Sequence, residues 1–490
     1  MKKSLLFVDK IFGSLVLSRL AFITLLTGCA AGPDFVTPQP PPVQTYTASN
    51  LPAQTASAPD QLGHAQRFVE QTEIDARWWE QFGSPRLNSL IVQGLRSSPT
   101  LAAAQATLRQ SEELFNAQAG STQYPQAAVT LGAARERFNG SGFGQRTSNT
   151  FDLYNASVGV TYNFDLAGGN RRILEALAAQ VDYQRFQLEA ARLTLAANLV
   201  TGAITQAQLA TQIQALEDIL SAQTEQFELS RQREALGNAS AVEVLSLQTQ
   251  MEQTRAGIIP VRNRLEQTGH LISVLVGRPP GAAGMPQFVL TEFTLPGELP
   301  MRVPSELVRQ RPDIQASEAL LHAANAQYGE SISHFYPQLT LSANLGSLTN
   351  TSLFGPGSAV WGLAGQVVQP LFNAGLKPAS RAAKANMNAA AANYQQTVLQ
   401  ALRNVADVLR AIDNDAVGLQ AQAVADSAAQ QSLKLAQQQY RLGTISYIQL
   451  LVAQQQARQI RYSLLAAQAQ RLTDCAALYL SMGVGEREKK

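Results

Sequence analysis

The 490-residue chain contains only two cysteines and four histidines, and this scarcity excludes several kinds of protein. Cys29 directly follows a predicted N-terminal leader of 28 residues, so Cys475 is the only other cysteine of the mature chain and we expect no disulfide within it. Leucines surround Cys475 in a helical pattern, which predicts a packed and unreactive thiol. The histidines have neither metal-ligand spacing nor a cysteine nearby, so we expect no metal and no other cofactor.

A basic surface and catalytic motifs are also missing. Residues 1–28 carry four basic residues and one acidic residue, so their removal changes the formal net charge from +2 to −1. The remaining chain lacks the basic footprint of a nucleic-acid-binding protein, and we expect no nucleic-acid partner. No glycine-rich nucleotide loop, nucleophile elbow or pair of carboxylates stands out, which argues against an enzyme.

The N-terminus carries the signals of an exported lipoprotein. Two lysines precede an apolar run over residues 20–26, which is too short to span a membrane and predicts a signal peptide over residues 1–28. The sequence Leu26-Thr27-Gly28-Cys29 resembles a bacterial lipobox, in which Cys29 becomes the lipid-bearing first residue. The alternative is an ordinary signal peptide with an incidental cysteine. Ala30 stands where an aspartate in such lipoproteins implies retention at the inner membrane, so the resemblance favours the outer membrane.

The rest of the chain has an internal repeat. Tyr124-Pro125-Gln126 recurs 212 residues later as Tyr336-Pro337-Gln338, and Leu236-Gly237 recurs 206 residues later as Leu442-Gly443. A nearly constant offset of roughly 200 residues predicts two structurally equivalent halves. We assign residues 63–277 to the first half and residues 305–483 to the second. The segments outside the halves are predicted to be an extended tether, a proline-rich linker and a charged tail, which are residues 29–62, 278–304 and 484–490.

Each half is predicted to contain a pair of strands. Apolar and polar residues alternate over Tyr154–Phe164, and eleven residues is the length that a tilted membrane-barrel strand needs, about 9–11. Residues 339–346 alternate in the same way, whereas their partner, roughly residues 359–371, alternates poorly. Glycine, serine and asparagine indicate hairpin loops between the strands, at Glu136–Asp152 and Ser347–Ser358.

Very long helices are predicted to follow the strands, over residues 171–236 and 378–441. The second carries an apolar stripe that alternates steps of four and three residues, the period of coiled-coil packing. The stripe comprises Val398, Leu402, Val405, Leu409, Ile412, Ala416 and Leu419. In each half, two shorter helices placed end to end match the long one in length. These shorter helices are residues 100–123 and 239–276 in the first half, and 313–335 and 446–482 in the second.

Each long helix is predicted to end in a sharp turn. Gly237 and Gly443 suit the left-handed conformation that terminates a helix. Ser240 with Glu243, and Ser446 with Gln449, have the spacing of capping boxes that start the next helix.

Four membrane-type strands cannot close a barrel, because the smallest known barrels have eight. An open strand edge in lipid leaves backbone groups unpaired at several kcal/mol each. The chain is therefore expected to oligomerise, and two, three or four copies are all compatible with the strand count.

Three segments resemble the TolC-like outer-membrane efflux family, and more narrowly its lipoprotein branch, which serves resistance–nodulation–division (RND) pumps. They are Ala76–Phe82 with Leu87–Ile91, Pro304–Ile314 and Phe335–Pro337. The resemblance implies an α+β membrane protein that forms a homotrimer. Four strands per chain would make a twelve-stranded β-barrel in the outer membrane, and the long helices would continue it as an α-helical barrel in the periplasm. The implied partners are the lipid bilayer, a periplasmic adaptor protein and an inner-membrane RND-type transporter.

The resemblance also assigns roles to the helix turns. Arg441-Leu442-Gly443 resembles the docking tip of the family, so the adaptor is expected to bind at the turns. The docking residues are then Gly237, Ser240, Arg441, Leu442, Gly443 and Ser446.

A second expectation concerns the constriction of the channel. Relatives often carry Leu-Leu-Asp-Ala-Gln after the second turn, whereas this chain has Leu450-Leu451-Val452-Ala453-Gln454. The expected constriction therefore consists of Ile448 and Val452, with Ser246 as the equivalent position of the first half and Glu243 as the nearby carboxylate. An apolar ring resists wetting and selects weakly for cations. The alternative is that Val452 only packs between helices.

The expected function is an exit duct that exports drugs or other small toxic compounds. A channel for type I protein secretion has the same architecture and is the main alternative. A trimeric coiled-coil adhesin is a further alternative, but it would lack the duplicated strand pairs. A lipoprotein enzyme is another, but this sequence shows no catalytic site for it.

Overall fold

The structure, a computed structural model, describes residues 30–70, 74–139, 148–351 and 358–483. The chain divides into two compact units. Unit 1 contains the residues up to Pro38 together with Thr107–Gln184 and Ser317–Tyr394. Unit 2 contains Gln39–Ala106, Arg185–Ala316 and the residues from Gln395 onwards. Both units therefore draw on both predicted halves of the sequence.

The described ranges contain eight α-helices and six strands. The helices are α1 (Pro85–Ser97), α2 (Pro99–Gln123), α3 (Gly169–Ala235), α4 (Ala241–Leu275), α5 (Pro304–Gln310), α6 (Pro312–Ser333), α7 (Leu376–Arg441) and α8 (Tyr447–Ser481). The strands are β1 (Arg67–Glu70), β2 (Gln126–Asn139), β3 (Ser148–Phe164), β4 (Glu298–Met301), β5 (Gln338–Thr349) and β6 (Ala359–Val368). The six long helices predicted from the sequence are confirmed to within two residues at each end. None of the described helices has the length and apolar character required to cross a membrane.

Unit 1 contains an antiparallel sheet with the strand order β2-β3-β5-β6. The pairing of β3 with β5 joins the two halves of the sequence and aligns Val158 with Leu345. Val129 on β2 and Trp361 on β6 continue the same row across the sheet. Because side chains alternate between the faces of a strand, these rows place the apolar residues of all four strands on one face, where most of them are exposed.

The strands extend further than predicted, so the predicted hairpin loops were too long. β2 and β3 extend far into Glu136–Asp152, and β5 continues to Thr349, inside the predicted loop Ser347–Ser358. The ends of these strands were not predicted because their residues are polar and do not alternate with apolar ones. Cross-strand pairs such as Arg135 opposite Asp152 continue the strand pairing there. The centres of both loops lie outside the described residues.

The apolar stripe of α7 is confirmed. Val398, Val405, Leu409 and the three members that follow them are buried. Leu402 is only partly buried, and Ala401 beside it is buried instead. The period of the stripe holds, while the residue at one step is displaced by one position.

Unit 2 has its core around a short 3₁₀ helix, Trp78–Phe82, whose Trp78 ring stacks on Tyr479 at 5.0 Å between centroids. Segment 278–304, predicted as a linker, contributes to this core. Phe288 and Phe293 are fully buried, and β4 pairs in parallel with β1. Prolines exclude a long helix from such a segment, but they do not prevent it from burying aromatic side chains.

Candidate functional site at the two helix turns

Both long helices end as predicted. Gly237 has a φ of 75° and Gly443 a φ of 73°, and each is the second residue after the end of its helix. The N–H groups of Asn238 and Thr444 donate to the carbonyl oxygens of the residues five positions earlier, at 2.7 and 2.9 Å. This is the Schellman geometry. A Cβ on either glycine would have no atom within 4 Å, so the backbone conformation and not a lack of space favours glycine there.

The caps of the next two helices differ. The Ser446 hydroxyl accepts from the Gln449 N–H at 3.4 Å, and the Gln449 carbonyl oxygen Oε1 accepts from the Ser446 N–H at 3.0 Å. The predicted capping box is therefore confirmed at the second turn. At the first turn, the Ser240 hydroxyl accepts from the Glu243 N–H at 3.2 Å, but no reciprocal bond from Glu243 closes the box in this described turn. The prediction of a capping box at the first turn is therefore right for the Ser240 cap and wrong for the reciprocal bond from Glu243.

Glu243 has a different partner. Its Oε1 accepts a hydrogen bond from the Tyr440 hydroxyl of α7 and a longer one, 3.5 Å, from the Ser230 hydroxyl of α3. A bond to an ionised carboxylate is stronger than one between neutral groups, and this one is partly buried, whereas Ser240 is exposed. The carboxylate therefore joins α4 to α7 instead of capping its own helix.

A second chain of hydrogen bonds lies next to the first. The Tyr447 hydroxyl donates to Gln250 Oε1 at 2.9 Å, and Gln250 Nε2 donates to Gln454 Oε1 at 3.2 Å. Gln454 Nε2 then donates to Gln226 Oε1, also at 3.2 Å. These bonds link α8 to α4 and to α3, and together with the Glu243 contacts they connect α3, α4, α7 and α8 near the turns.

The two tyrosines act as donors at neutral pH. Burial raises the pKa of Tyr440 to about 12, and its hydrogen bond and charge interaction with Glu243 add to the effect. Burial likewise raises the pKa of Tyr447 to about 12, with smaller contributions from Tyr440 and Glu243. The rings of the two tyrosines meet edge to face at 6.0 Å.

Sequence reasoning missed both tyrosines as members of the site. No signal in the sequence identified these pairs, because each tyrosine donates to a residue 197 positions earlier in the chain, which is not the repeat offset of 206. The sequence analysis also predicted Leu442 as a docking residue but not Leu236, although the repeat offset of 206 makes the two leucines equivalent. Both leucines are exposed directly before the turn glycines.

The expected docking residues all lie on the surface of the turns. These residues are Gly237, Ser240, Arg441, Leu442, Gly443 and Ser446.

The expected constriction residues are placed differently from one another. Ile448 is 69 % exposed and Val452 is 55 % exposed, on the same side of α8 because they are four residues apart. Leu450 between them is buried. Ser246 is partly buried, and its hydroxyl donates to the carbonyl oxygen of Val242 at 2.7 Å within its own helix. The Glu243 carboxylate is occupied by Tyr440 and Ser230, as described above.

The architecture and the turns agree with a comparison to known proteins. The sequence profile of the family described as "Outer membrane efflux protein" matches residues 90–278 and 303–484, well over half of the chain. The chain belongs to this outer-membrane efflux family. The resemblance inferred from the sequence is thereby confirmed, and the protein is an outer-membrane channel of an efflux system.

Individual relatives support the same assignment. The chain is 28 % identical over 484 residues to the toluene efflux pump outer membrane protein TtgC of Pseudomonas putida, covering 97 % of this chain and 96 % of TtgC. It is 24 % identical over 475 residues to SilC of Salmonella typhimurium, described as a probable outer membrane lipoprotein, covering 96 % and 99 %. The solved structure of the outer-membrane channel OprN superimposes with a TM-score of 0.83 at 25 % identity, covering 93 % of this chain and 99 % of that chain.

The predicted lipidation site, Cys29, lies outside the described residues. Attachment of lipid to this cysteine stays a prediction.

Proposed function

We propose that this efflux channel is the exit duct of a tripartite pump and works as a homotrimer. The observation that carries the proposal is the sheet of unit 1, a four-stranded antiparallel sheet with one continuous apolar face. Its outer strands, β2 and β6, each have one partner within the described chain. Since lipid tolerates no open strand edge, three copies would pair these edges and give twelve strands around a channel.

The partners would assemble at the turns. The adaptor would dock on the exposed residues around Gly237 and Gly443, which include the matched leucines Leu236 and Leu442. Exposed leucines beside rigid turns offer a shaped apolar contact to a partner helix or loop. An inner-membrane RND-type transporter would deliver drugs or other small toxic compounds, and lipid on Cys29 would anchor the chain in the outer membrane.

The turns would also close the channel. Ile448 and Val452 present apolar side chains that have no place in the core of their own chain, and three copies of each would form a narrow ring. The Tyr440–Glu243 bond would hold the neighbouring helices in the closed arrangement. Opening would then require that bond to break.

Deletion of the gene, followed by profiling against toxic compounds and by analysis of secreted proteins, tests the function. We expect increased sensitivity to small apolar toxicants, restored by the wild-type gene, with secreted proteins unchanged. Loss of one secreted protein with unchanged sensitivity would instead identify a type I secretion channel.

A further inference from the structure

In unit 1, the residues that directly follow Cys29 lie in a groove lined by the turn after β3 and by α3 and α6, with Gly32, Pro33 and Asp34 exposed. The N–H of Ala31 donates to the carbonyl oxygen of Ala167, in the turn between β3 and α3, at 2.8 Å, and Ala31 is buried. Asn325 of α6 donates through Nδ2 to the carbonyl oxygen of Pro33 at 3.0 Å. The ring of Phe35 stacks on His322 at 4.3 Å between centroids. Segment Ala30–Phe35, which the sequence assigned to an extended tether, is therefore bound along its whole length.

Two glycines make room for this segment. A Cβ on Gly168 would lie 2.6 Å from the Cα of Ala30, and Gly168 also has a left-handed φ of 72°. A Cβ on Gly329, in the interior of α6, would lie 2.8 Å from the carbonyl oxygen of Ala31. Because glycine lowers the stability of a helix interior, its presence at Gly329 is explained by the close approach of the segment.

A buried arginine binds the same segment. Arg172 of α3 is 2 % exposed. Its Nε donates to the Ala31 carbonyl oxygen at 3.0 Å, and one terminal nitrogen donates to the Gly32 carbonyl oxygen at 3.3 Å and to an Asp34 carboxylate oxygen at 2.8 Å. Its other terminal nitrogen donates to Glu175 at 2.7 Å. A buried guanidinium is stable only when it is paired and hydrogen-bonded, and here segment Ala30–Phe35 supplies most of the acceptors.

We propose that this groove fixes the position of the lipid anchor, an inference that rests on the proposed lipidation of Cys29. Ala30, the first described residue and the one that directly follows Cys29 in the sequence, lies against Gly168. Gly168 follows the end of β3 by four residues. The acyl chains would therefore enter the bilayer at one place, beside the end of a barrel strand, instead of ranging on a slack tether. Arg172 is the positioning residue.

Spin labelling tests this proposal on the lipidated, full-length protein in lipid vesicles. Val36 is 81 % exposed and follows the groove directly, so Val36→Cys provides a label site. Cys475 is fully buried and does not compete for the label. We expect a restricted nitroxide spectrum in the otherwise unchanged chain, and a severalfold shorter rotational correlation time after Arg172→Gln. The control is Arg171→Gln, which removes the same charge from the adjacent, exposed residue and is expected to leave the spectrum unchanged.

A milder variant covers the case in which Arg172→Gln fails to assemble. Asn325→Ala removes only the bond to Pro33, so we expect a smaller increase in label mobility. Mass spectrometry of the N-terminal peptide reports lipidation separately. A lipidated chain whose label is already mobile before any substitution, or a label that neither variant loosens, overturns this proposal alone. An unlipidated Cys29 overturns the proposed anchor and this inference together.

Discussion

The two helix turns have the same backbone signals, but the side chain three positions after the capping serine has a different partner in each. Both have a left-handed glycine and a serine cap. At the second turn, the residue three positions after the serine is a glutamine, and it closes the capping box. At the first turn the equivalent residue is Glu243, which binds Tyr440 of another helix instead. Backbone conformation thus follows from local signals, whereas the partner of a charged side chain is decided by the helices packed around it.

This comparison separates the proposed docking role of the turn backbone from the proposed gating role of the side chains around the turns. The second turn is closed by its own residues, and we propose that the adaptor docks there as well as at the first turn. The first turn contributes the carboxylate that ties α4 to α7. Substitutions can therefore impair docking or gating separately.

The largest expected effect is loss of docking. Gly443→Val introduces a bulky, β-branched residue where φ is positive, a conformation that costs about 1–2 kcal/mol for ordinary residues. We expect adaptor cross-linking in whole cells to be lost while the amount of assembled channel is unchanged. Gly443→Asn is the matched control, because asparagine tolerates the left-handed conformation, and it should retain most of the cross-linking. If cross-linking survives in the valine variant while efflux fails, the turn does not dock the adaptor.

Removal of the Tyr440–Glu243 bond, which joins the start of α4 to the end of α7, is expected to have the next largest effect. Tyr440→Phe keeps the ring and deletes the donor to Glu243. Hydrogen bonds to charged groups contribute about 1.5–3 kcal/mol, so the open population should rise roughly tenfold or more. Planar-bilayer recording should show a higher open probability. Gln449→Ala, which breaks only the cap of the second turn, is the control and should leave it unchanged. Equal effects of both substitutions would refute the separation of roles.

The sequence predicted the backbone conformation of the turns well and the side-chain pairing around them poorly. Gly237, Gly443 and the α7 stripe follow from backbone conformation and periodicity, which are local properties. The Tyr440–Glu243 pair joins residues 197 positions apart, and Glu243 had an equally plausible local partner in Ser240. Only the packing of the helices decides between them.

The predicted tether and the predicted linker, two of the three segments outside the repeats, also contain contacts that the sequence did not reveal. Prolines dominated the interpretation of residues 278–304, although Phe288 and Phe293 indicated burial. Arg172 recognises the tether mainly through backbone carbonyl oxygens, and these carry no sequence signal.

A carboxylate placed at the second turn would sharpen the comparison further. Val452→Asp should put three carboxylates into the proposed ring, focus a negative potential there and raise cation preference in bilayer recordings. It should also create sensitivity to a trivalent cation. Val424→Asp, an exposed valine on α7 far along the sequence from the turn, is the control. If the unmodified channel is already strongly cation-selective and blocked by such ions, the apolar gate is wrong and Glu243 is the residue to test.

Alkaline pH should produce the smallest effect, through the Tyr440–Glu243 bond. Burial and Glu243 raise the pKa of Tyr440 to about 12 in the closed arrangement, whereas an exposed phenol titrates near 10. Because the pKa of Tyr440 is higher in the closed arrangement, its protonated hydroxyl contributes fully to the stability of that arrangement below about pH 10. This contribution is lost as pH rises from about 10 to about 12. Open probability should therefore begin to increase above pH 10. Tyr440→Phe should reduce this increase, and an unchanged profile in that variant would assign the titration to another group.

All of these effects presuppose that separate chains complete the barrel and the ring. The most direct measurement is the mass of the detergent-solubilised, full-length channel, determined by light scattering with the detergent contribution subtracted or by native mass spectrometry. Three chains per particle is the predicted result, because the resemblance to the efflux family implies a trimer, and three copies of the four-stranded sheet would leave no strand edge unpaired. A stable monomer that retains channel activity would contradict the account.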